Sequence, residues 1–281
     1  MIMIGDCRQM LPTIEPESID CIVTSPPYYN LRDYGMPGQI GAENTVEEYI
    51  DNLTDVFSKS RTVLKPNGTL WLNVADTYAQ KNLLGIPWQL AFALRNDGWI
   101  LRQDIIWCKP NPMPESVVDR CTKAHEYLFL LTKSAKYYFS LDSVKEEAQY
   151  KPSDSPKVKK SCRYGGKKYA LNQDMFYRTK SGNIYNYTGT RHPRSVWTIP
   201  TQPFSGEHFA TFPEELARRC ILAGCPPSGI VMDPFCGSGT TGKVAYDLGR
   251  EFCGIELNPK YAEIATKRIG ISRQMPLEMI V

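Results

Sequence analysis

Ile230-Val231-Met232-Asp233-Pro234-Phe235-Cys236-Gly237-Ser238-Gly239-Thr240-Thr241 is the stretch whose reading decides the fold. An apolar run ends in an acid and a glycine turn. Lys243, Val244, Ala245 and Leu248 then follow at helical spacing, closed by Gly249, so the order is strand, turn, helix. Glycines let backbone approach a ligand at the carboxyl end of a strand, where open α/β sheets bind cofactors. A lone Gly-x-Gly is structural as often as not. The spacing excludes a phosphate loop, which needs Gly-Lys-Ser/Thr, and a dinucleotide fingerprint, which needs a third glycine. Asp233 would repel a pyrophosphate but would pair with the ammonium group of an amino acid. The next strand, Phe252 to Ile255, ends in Glu256, where a carboxylate can accept hydrogen bonds from both ribose hydroxyls. Adenosine joined to an amino acid satisfies both acids, and S-adenosylmethionine is that molecule.

Working outward, Ile19–Val23, Thr69–Val74, Ile100–Trp107, Tyr127–Thr132 and Glu251–Ile255 are further β-type runs that alternate with amphipathic helices. This alternation predicts an α/β sheet. Thr45 and Glu48 form a capping box before a helix whose Val46, Tyr49, Ile50, Leu53, Val56 and Phe57 share one face. Lys65-Pro66-Asn67-Gly68 is expected to end it in a turn. Helices are also expected from Pro213 to Gly224 and from Asn258-Pro259 to Ile269.

The 281 residues, 42% apolar and 22% charged, suit a globular protein of one domain plus an insertion. No window approaches 18 consecutive apolar residues and the first residues lack a signal peptide's features, so a cytoplasmic location without membrane is expected. Nine cysteines show no Cys-x-x-Cys pair, which predicts reduced thiols and no metal. Between Lys151 and Arg194 eleven basic residues face two acids, a balance of +9 in 44 residues, which leaves the remainder near −6 of the overall +3. Seven tyrosines and phenylalanines interleave with or flank these cations, a composition suited to phosphates and unstacked bases. A solvated loop without a partner is the plainer alternative.

Ile19-Asp20-Cys21-Ile22-Val23 is a buried strand that runs into Thr24-Ser25-Pro26-Pro27-Tyr28-Tyr29. Two prolines cannot continue a central strand; they fix φ and remove donors, which makes a rigid loop able to aim carbonyls and the Ser25 hydroxyl at a ligand. With both loops in view the chain resembles the DNA amino-methyltransferases, whose catalytic motif is Asp/Asn/Ser-Pro-Pro-aromatic and whose cofactor motif here reads Asp233 to Thr241. The catalytic motif comes first, then a recognition segment, then the cofactor motif. That order resembles the circularly permuted β class, over nearly the whole chain. Gly5-Asp6-Cys7 matches the family's adenine-contacting position, and His208-Phe209-Ala210-Thr211-Phe212-Pro213 resembles the motif that flanks the methionine moiety. Taken singly, Asp6 is as well read as a helix N-cap and Phe209 or Phe212 as core packing.

The resemblance implies a doubly wound, mostly parallel seven-stranded α/β sheet of the S-adenosylmethionine-dependent type. Residues 1–140 would be its catalytic half, 141–196 a DNA target-recognition segment and 197–281 its cofactor-binding half. The catalytic residues would be Ser25, Pro26, Pro27 and Tyr28. The cofactor would be held by Asp6, Cys7, Phe209, Thr211, Asp233, Phe235, Cys236, Gly237, Ser238, Gly239, Thr240, Glu256 and Leu257. The strands before the two loops would lie side by side at the switch point.

An exocyclic amine on a base has its lone pair delocalised into the ring. The Ser25 hydroxyl and Pro26 carbonyl are expected to accept its N–H bonds, turning the lone pair toward the methyl group, while Tyr28 stacks on a flipped base. No covalent intermediate is needed, and Cys225 and Cys236 are wrongly placed for C5-cytosine chemistry. In the family, Ser before Pro-Pro is associated with cytosine N4 and Asp with adenine N6, so Ser25 favours cytosine. The partner would be double-stranded DNA, with Lys159, Lys160, Arg163, Lys167, Lys168, Arg178 and Arg191 as its contacts. Base edges would be read by some of Asn172, Gln173, Arg178, Asn183 and Arg191. A monomer or weak homodimer is expected. The alternatives are adenine N6 as acceptor, RNA or a protein glutamine as substrate, and a catalytically silent DNA-binding module.

Overall fold

The computed structural model describes residues 1–148, 161–164, 167–170, 175–178, 184–187, 189–202 and 212–270; for the strands between 161 and 187 only the backbone is described. The chain divides into two compact units, Met1–Ser140 with Ser195–Val281, and Leu141–Arg194.

The larger unit is built on one sheet. Its strands are β1 (Ile2–Ile4), β2 (Ile19–Thr24), β3 (Leu64–Val74), β4 (Ile100–Cys108), β5 (His125–Thr132), β6 (Val196–Thr198), β7 (Ile230–Asp233) and β8 (Glu251–Glu256). They lie in the order β1-β8-β7-β2-β3-β5-β4-β6. All pairings are parallel except those of β5, which runs against both β3 and β4. The expected α/β, mostly parallel sheet is present, with eight strands among the described residues rather than seven. The eighth, β6, is three residues long and leaves no periodic signal; it is held because Trp197 is buried and stacks on Trp71, with ring centroids 6.3 Å apart.

The helices are α1 (Cys7–Met10), α2 (Val46–Val63), α3 (Ile86–Asn96), α4 (Glu214–Gly224), α5 (Thr240–Asp247) and α6 (Pro259–Ile269). Thr45 Oγ1 caps α2 by accepting from Glu48 N, and the Glu48 carboxylate reaches back to Asn44 N rather than to Thr45. Tyr49, Ile50, Leu53, Val56 and Phe57 bury the expected face of α2 against Leu70, Leu72 and Val74 of β3. Trp71, one residue out of phase, points to the opposite side of the pleat, where α4 packs on β2 and β3. Layers thus cover both faces of the sheet, as a parallel sheet requires.

Lys65-Pro66-Asn67-Gly68 does not form a free turn. It lies inside β3 as an irregularity: Ile19 faces Leu64, yet Cys21 faces Thr69. The Lys65 ammonium anchors this bulge on the Asp20 carboxylate at 2.8 Å.

In the smaller unit Ser161–Tyr164 pairs with Lys167–Ala170, Met175–Arg178 with Ile184–Tyr187, and Glu146–Glu147 with Thr190–Arg191, all antiparallel. Among the described residues no helix is long and apolar enough to cross a membrane. Likewise no group of three or more His, Cys, Asp or Glu side chains is placed to hold a metal.

Gly224 sits where α4 meets the sheet: a Cβ there would lie 2.2 Å from Trp71 Nε1 and 2.4 Å from Thr69 Oγ1, whereas one at Gly249 (φ +68°) would meet nothing within 4 Å. Gly224→Ala is expected to destabilise by about 2–3 kcal/mol through overpacking, and Gly249→Ala by about 1 kcal/mol through backbone strain alone. Chemical denaturation checks the order, and equal losses at the two positions would contradict this packing.

Candidate active site

β2 and β7 lie side by side, Cys21 opposite Val231 and Ile22 opposite Met232, so the Ser25-Pro26-Pro27-Tyr28 loop and the glycine loop leave the same edge of the sheet. The two strands are fastened at both ends. At the amino end the Asp20 carboxylate accepts from Ile230 N at 2.9 Å. At the carboxyl end Thr24 Oγ1 donates to Asp233 Oδ1 at 2.6 Å, and Thr241 Oγ1, from the first turn of α5, donates to Asp233 Oδ2 at 2.8 Å.

Asp233 is 2% exposed and also accepts from Phe235 N. Burial pushes its carboxyl up to about 6, against the hydrogen bonds from Thr24, Thr241 and Phe235. Three of its roughly four acceptor positions are filled from within the protein. Its first effect is therefore to lock the two loops together.

A cleft of about 1020 Å3, counted out to its open mouth, is lined by most of the expected cofactor residues: Asp6, Cys7, Asp233, Phe235, Cys236, Gly237, Ser238, Thr240, Glu256 and Leu257. Gly237 and Gly239 take left-handed backbone angles, φ +53° and +81°. Gly239 lies outside the lining, as the N-cap of α5 pressed against α6: a Cβ there would lie 2.9 Å from that of Ala265. Glu256 holds the turn closed, accepting from Gly237 N at 2.7 Å and Asn258 N at 2.8 Å. Burial raises its carboxyl against those backbone hydrogen bonds. Arg268 of α6 donates to both Ser238 Oγ and Thr240 Oγ1. Asp6 caps α1 and is paired through both oxygens with Arg8, so the N-cap reading of Asp6 holds while its residue still borders the cleft. Phe209 and Thr211 lie outside the described residues.

Ser25 lies between this cleft and a second pocket. The second pocket is lined by Ser25, Pro26, Tyr28, Asn73, Trp107, Lys109, Glu126 and Phe212, among others; Ser25, Tyr34 and Phe212 line both. Ser25 Oγ donates to Tyr28 Oη at 3.0 Å, and Tyr28 Oη donates to Glu126 Oε2 at 2.6 Å. Asn73 Nδ2 donates to Tyr28 Oη at 2.9 Å and to Glu126 Oε2 at 2.8 Å, and Lys109 Nζ is ion-paired with Glu126 Oε1. Burial, and then the Glu126 charge, hold the Tyr28 phenol well above its ordinary range, so it stays protonated. Tyr49 Oη clamps the loop by donating to the Pro27 carbonyl at 2.8 Å. Tyr28 is thus anchored through its hydroxyl. Neither thiol is reactive: burial raises Cys236, which lines the cleft, and pushes Cys225, beside Asp20 at the amino end of the strands, up to about 12.

The model of the N6/N4 DNA methylase family matches residues 19–267. The chain belongs to this family. It is an S-adenosylmethionine-dependent DNA amino-methyltransferase. It is 44% identical to the type II methyltransferase M.SmaI of Serratia marcescens over 297 residues, which cover 95% of this chain and 90% of that protein. It is 42% identical to M.Cfr9I of Citrobacter freundii, covering 94% and 86%. Among solved structures it is similar to the PvuII DNA methyltransferase, cytosine-N4-specific, with a TM-score of 0.70 at 19% identity over 98% and 87% of the two chains, a likeness of fold. A putative DNA modification methylase of Thermus thermophilus, complexed with S-adenosyl-L-methionine, aligns with a TM-score of 0.62 at 26% identity over 96% and 94%.

Sequence reading missed the second pocket's Asn73, Trp107, Lys109 and Glu126 and the cleft's Tyr34, Met36, Gln39 and Ile40. A signal existed for two of them: Asn73 and Glu126 are buried polar residues in otherwise apolar strands, which is the informative kind of exception. Of the expected DNA contacts, Lys159 and Lys160 lie outside the described residues. Arg163, Lys167, Lys168 and Arg178 lie on the hairpin strands of the smaller unit. Arg191 faces Glu146 across a two-residue ladder and pairs with it at 3.0 Å, so its charge is already compensated there.

The Asp233 carboxyl titrates at about 6 when folded against an ordinary 3.8, so between these values the folded state holds the extra proton. Its contribution to stability is complete below pH 3.8 and is lost as pH rises through 6, about 3 kcal/mol in all. Wild-type stability minus that of Asp233→Asn, from denaturant melts between pH 4 and 7, is expected to fall by a few kcal/mol. A flat or rising difference would contradict the assignment.

Proposed function

We propose that this enzyme transfers the methyl group of S-adenosylmethionine to N4 of a cytosine turned out of a specific double-stranded DNA sequence. The observation that carries the reading is Ser25, whose side chain borders both the cofactor cleft and the second pocket. The cleft would take the cofactor: Glu256 would accept from the ribose hydroxyls, and the remaining acceptor position of Asp233 would meet the ammonium. When bound, that cofactor supplies an electrophilic methyl group. The second pocket would take the base between Trp107, Tyr28 and Phe212.

Ser25 Oγ donates its own proton to Tyr28 and accepts from Asn73 Nδ2 at 3.4 Å, which leaves one lone pair to accept an N–H of the amine, and the Pro26 carbonyl would accept the other. Held this way, the nitrogen lone pair leaves conjugation with the ring. Serine before the proline pair supports cytosine, as does the cytosine-N4 specificity of the PvuII fold relative. The basic segment within 141–196, including Lys159, Lys160, Arg163, Lys167, Lys168 and Arg178, would contact phosphates and base edges. Residues 1–140 and 197–281 would form the catalytic and cofactor-binding halves. The type II modification methyltransferases to which the chain is similar support a role in modifying a defined DNA site.

Nucleoside analysis of DNA from a host that expresses the protein tests the base, with N4-methylcytosine expected. N6-methyladenine would overturn the cytosine assignment, and methylated RNA without methylated DNA would overturn the substrate class. Ser25→Ala is expected to keep cofactor affinity, measured by calorimetry, while turnover falls about a hundredfold or more. A variant that transfers methyl groups at the wild-type rate would remove Ser25 from the reacting centre.

A further inference from the structure

The second pocket contains more than a wall for a base. Four polar side chains from four strands converge there: Ser25 after β2, Asn73 in β3, Lys109 after β4, and Glu126 near the start of β5. The antiparallel direction of β5 is what brings its amino end to the edge where β2, β3 and β4 present their carboxyl ends. Within the cluster the hydrogen bonds have one direction, from Ser25 Oγ to Tyr28 Oη and from Tyr28 Oη to Glu126 Oε2. Asn73 Nδ2 donates to Tyr28 Oη and Glu126 Oε2 and, at 3.4 Å, to Ser25 Oγ; with Ser25 and Asn73 both donating to Tyr28 Oη, the Tyr28 proton is directed to Glu126. Lys109, lying over the Trp107 ring at 4.6 Å, balances the Glu126 charge so that an ionised carboxylate can stay only 8% exposed. Asn73 Oδ1 is buried without a hydrogen-bond partner among the described residues, a sign that this cluster is arranged for more than packing.

We propose that Glu126 receives the proton which the acceptor amine must lose, through a relay that runs from Ser25 to Tyr28 to Glu126. The proposal rests on reading the second pocket as the site of the base. As the N–C bond forms, the C–S bond breaks and its electron pair stays on sulfur, which becomes a neutral thioether. In the same step, as the nitrogen gains its fourth bond, it releases one proton to Ser25 Oγ. Ser25 passes its original hydroxyl proton to Tyr28 Oη, Tyr28 passes its own to Glu126 Oε2, and the carboxylate becomes a carboxylic acid. Charge balances, since the cation that began on sulfur ends as a proton on Glu126. An exocyclic amine that bears four bonds is a strong acid and gives up its proton to a positioned acceptor. The proton leaves for solvent when product does. Glu126 touches no reacting atom and acts through Tyr28, so it is a positioning and proton-accepting residue, with Lys109 and Asn73 holding it in place.

Single-turnover methyl transfer to duplex DNA tests the relay in the wild type, Tyr28→Phe, Glu126→Gln, Glu126→Asp and the Tyr28→Phe/Glu126→Gln double variant. Cofactor affinity is measured for each by calorimetry. Each single loss is expected to slow transfer about a hundredfold. The double variant should be no slower than the slower single by more than about twofold, because both substitutions cut one path. Glu126→Asp should recover part of the rate, and all variants should bind the cofactor as the wild type does. The wild-type rate in mixtures of light and heavy water should show several protons in flight, reduced to one in Tyr28→Phe. Wild-type transfer by Tyr28→Phe, or losses that multiply in the double variant, would overturn the relay. A wild-type protein that methylates no DNA would instead overturn the reading of the base pocket, which separates the two failures.

Discussion

The Asp233 carboxylate, held between the hydroxyls of Thr24 and Thr241, is the contact on which the arrangement of the site depends. One buried group ties the end of the strand that feeds the Ser25–Tyr28 loop to the end of the strand that feeds the glycine turn, and both to the first turn of α5. Burial works against this carboxylate's charge, and three donors offset much of that effect. The strands are also fastened at their other ends by Asp20, so β2 and β7 cannot slip in register. A slip would turn every side chain to the opposite face and would separate Ser25 from the cleft.

From that junction the two pockets follow. The prolines after β2 stop the strand and Tyr49 clamps the second of them, which leaves Ser25 on the boundary between the spaces. On one side the glycine turn, closed by Glu256, exposes backbone to the cleft. On the other, Tyr28, Asn73, Lys109 and Glu126 form a hydrogen-bonded cluster at the wall of a second cavity. Two substrates brought to either side of one serine hydroxyl would be oriented by it before any chemistry begins, which is where rate enhancement by positioning arises.

Much of this was legible in the amino-acid sequence because the constraints are local. Strand-terminal acids such as Asp233 and Glu256, the proline pair and the left-handed glycines each have a meaning that survives without tertiary context. The capping residues and buried face of α2 were equally plain. Asn73, Lys109 and Glu126 were not legible as a cluster, because their meeting depends on the order β2-β3-β5-β4 and on the reversal of β5. Lys65-Pro66-Asn67-Gly68 has turn chemistry but is absorbed into a strand as a bulge, a case of tertiary pairing overriding a local preference. β6 is too short for a pattern and owes its place to the stacking of Trp197 on Trp71.

The most direct measurement of this account is a crystal structure of the enzyme with S-adenosylhomocysteine and a duplex that contains its target. The expected result is a cytosine turned out of the duplex into the pocket bounded by Trp107, Tyr28 and Phe212, its N4 within hydrogen-bond distance of Ser25 Oγ. A target base held elsewhere, or Ser25 without contact to an exocyclic amine, would contradict it.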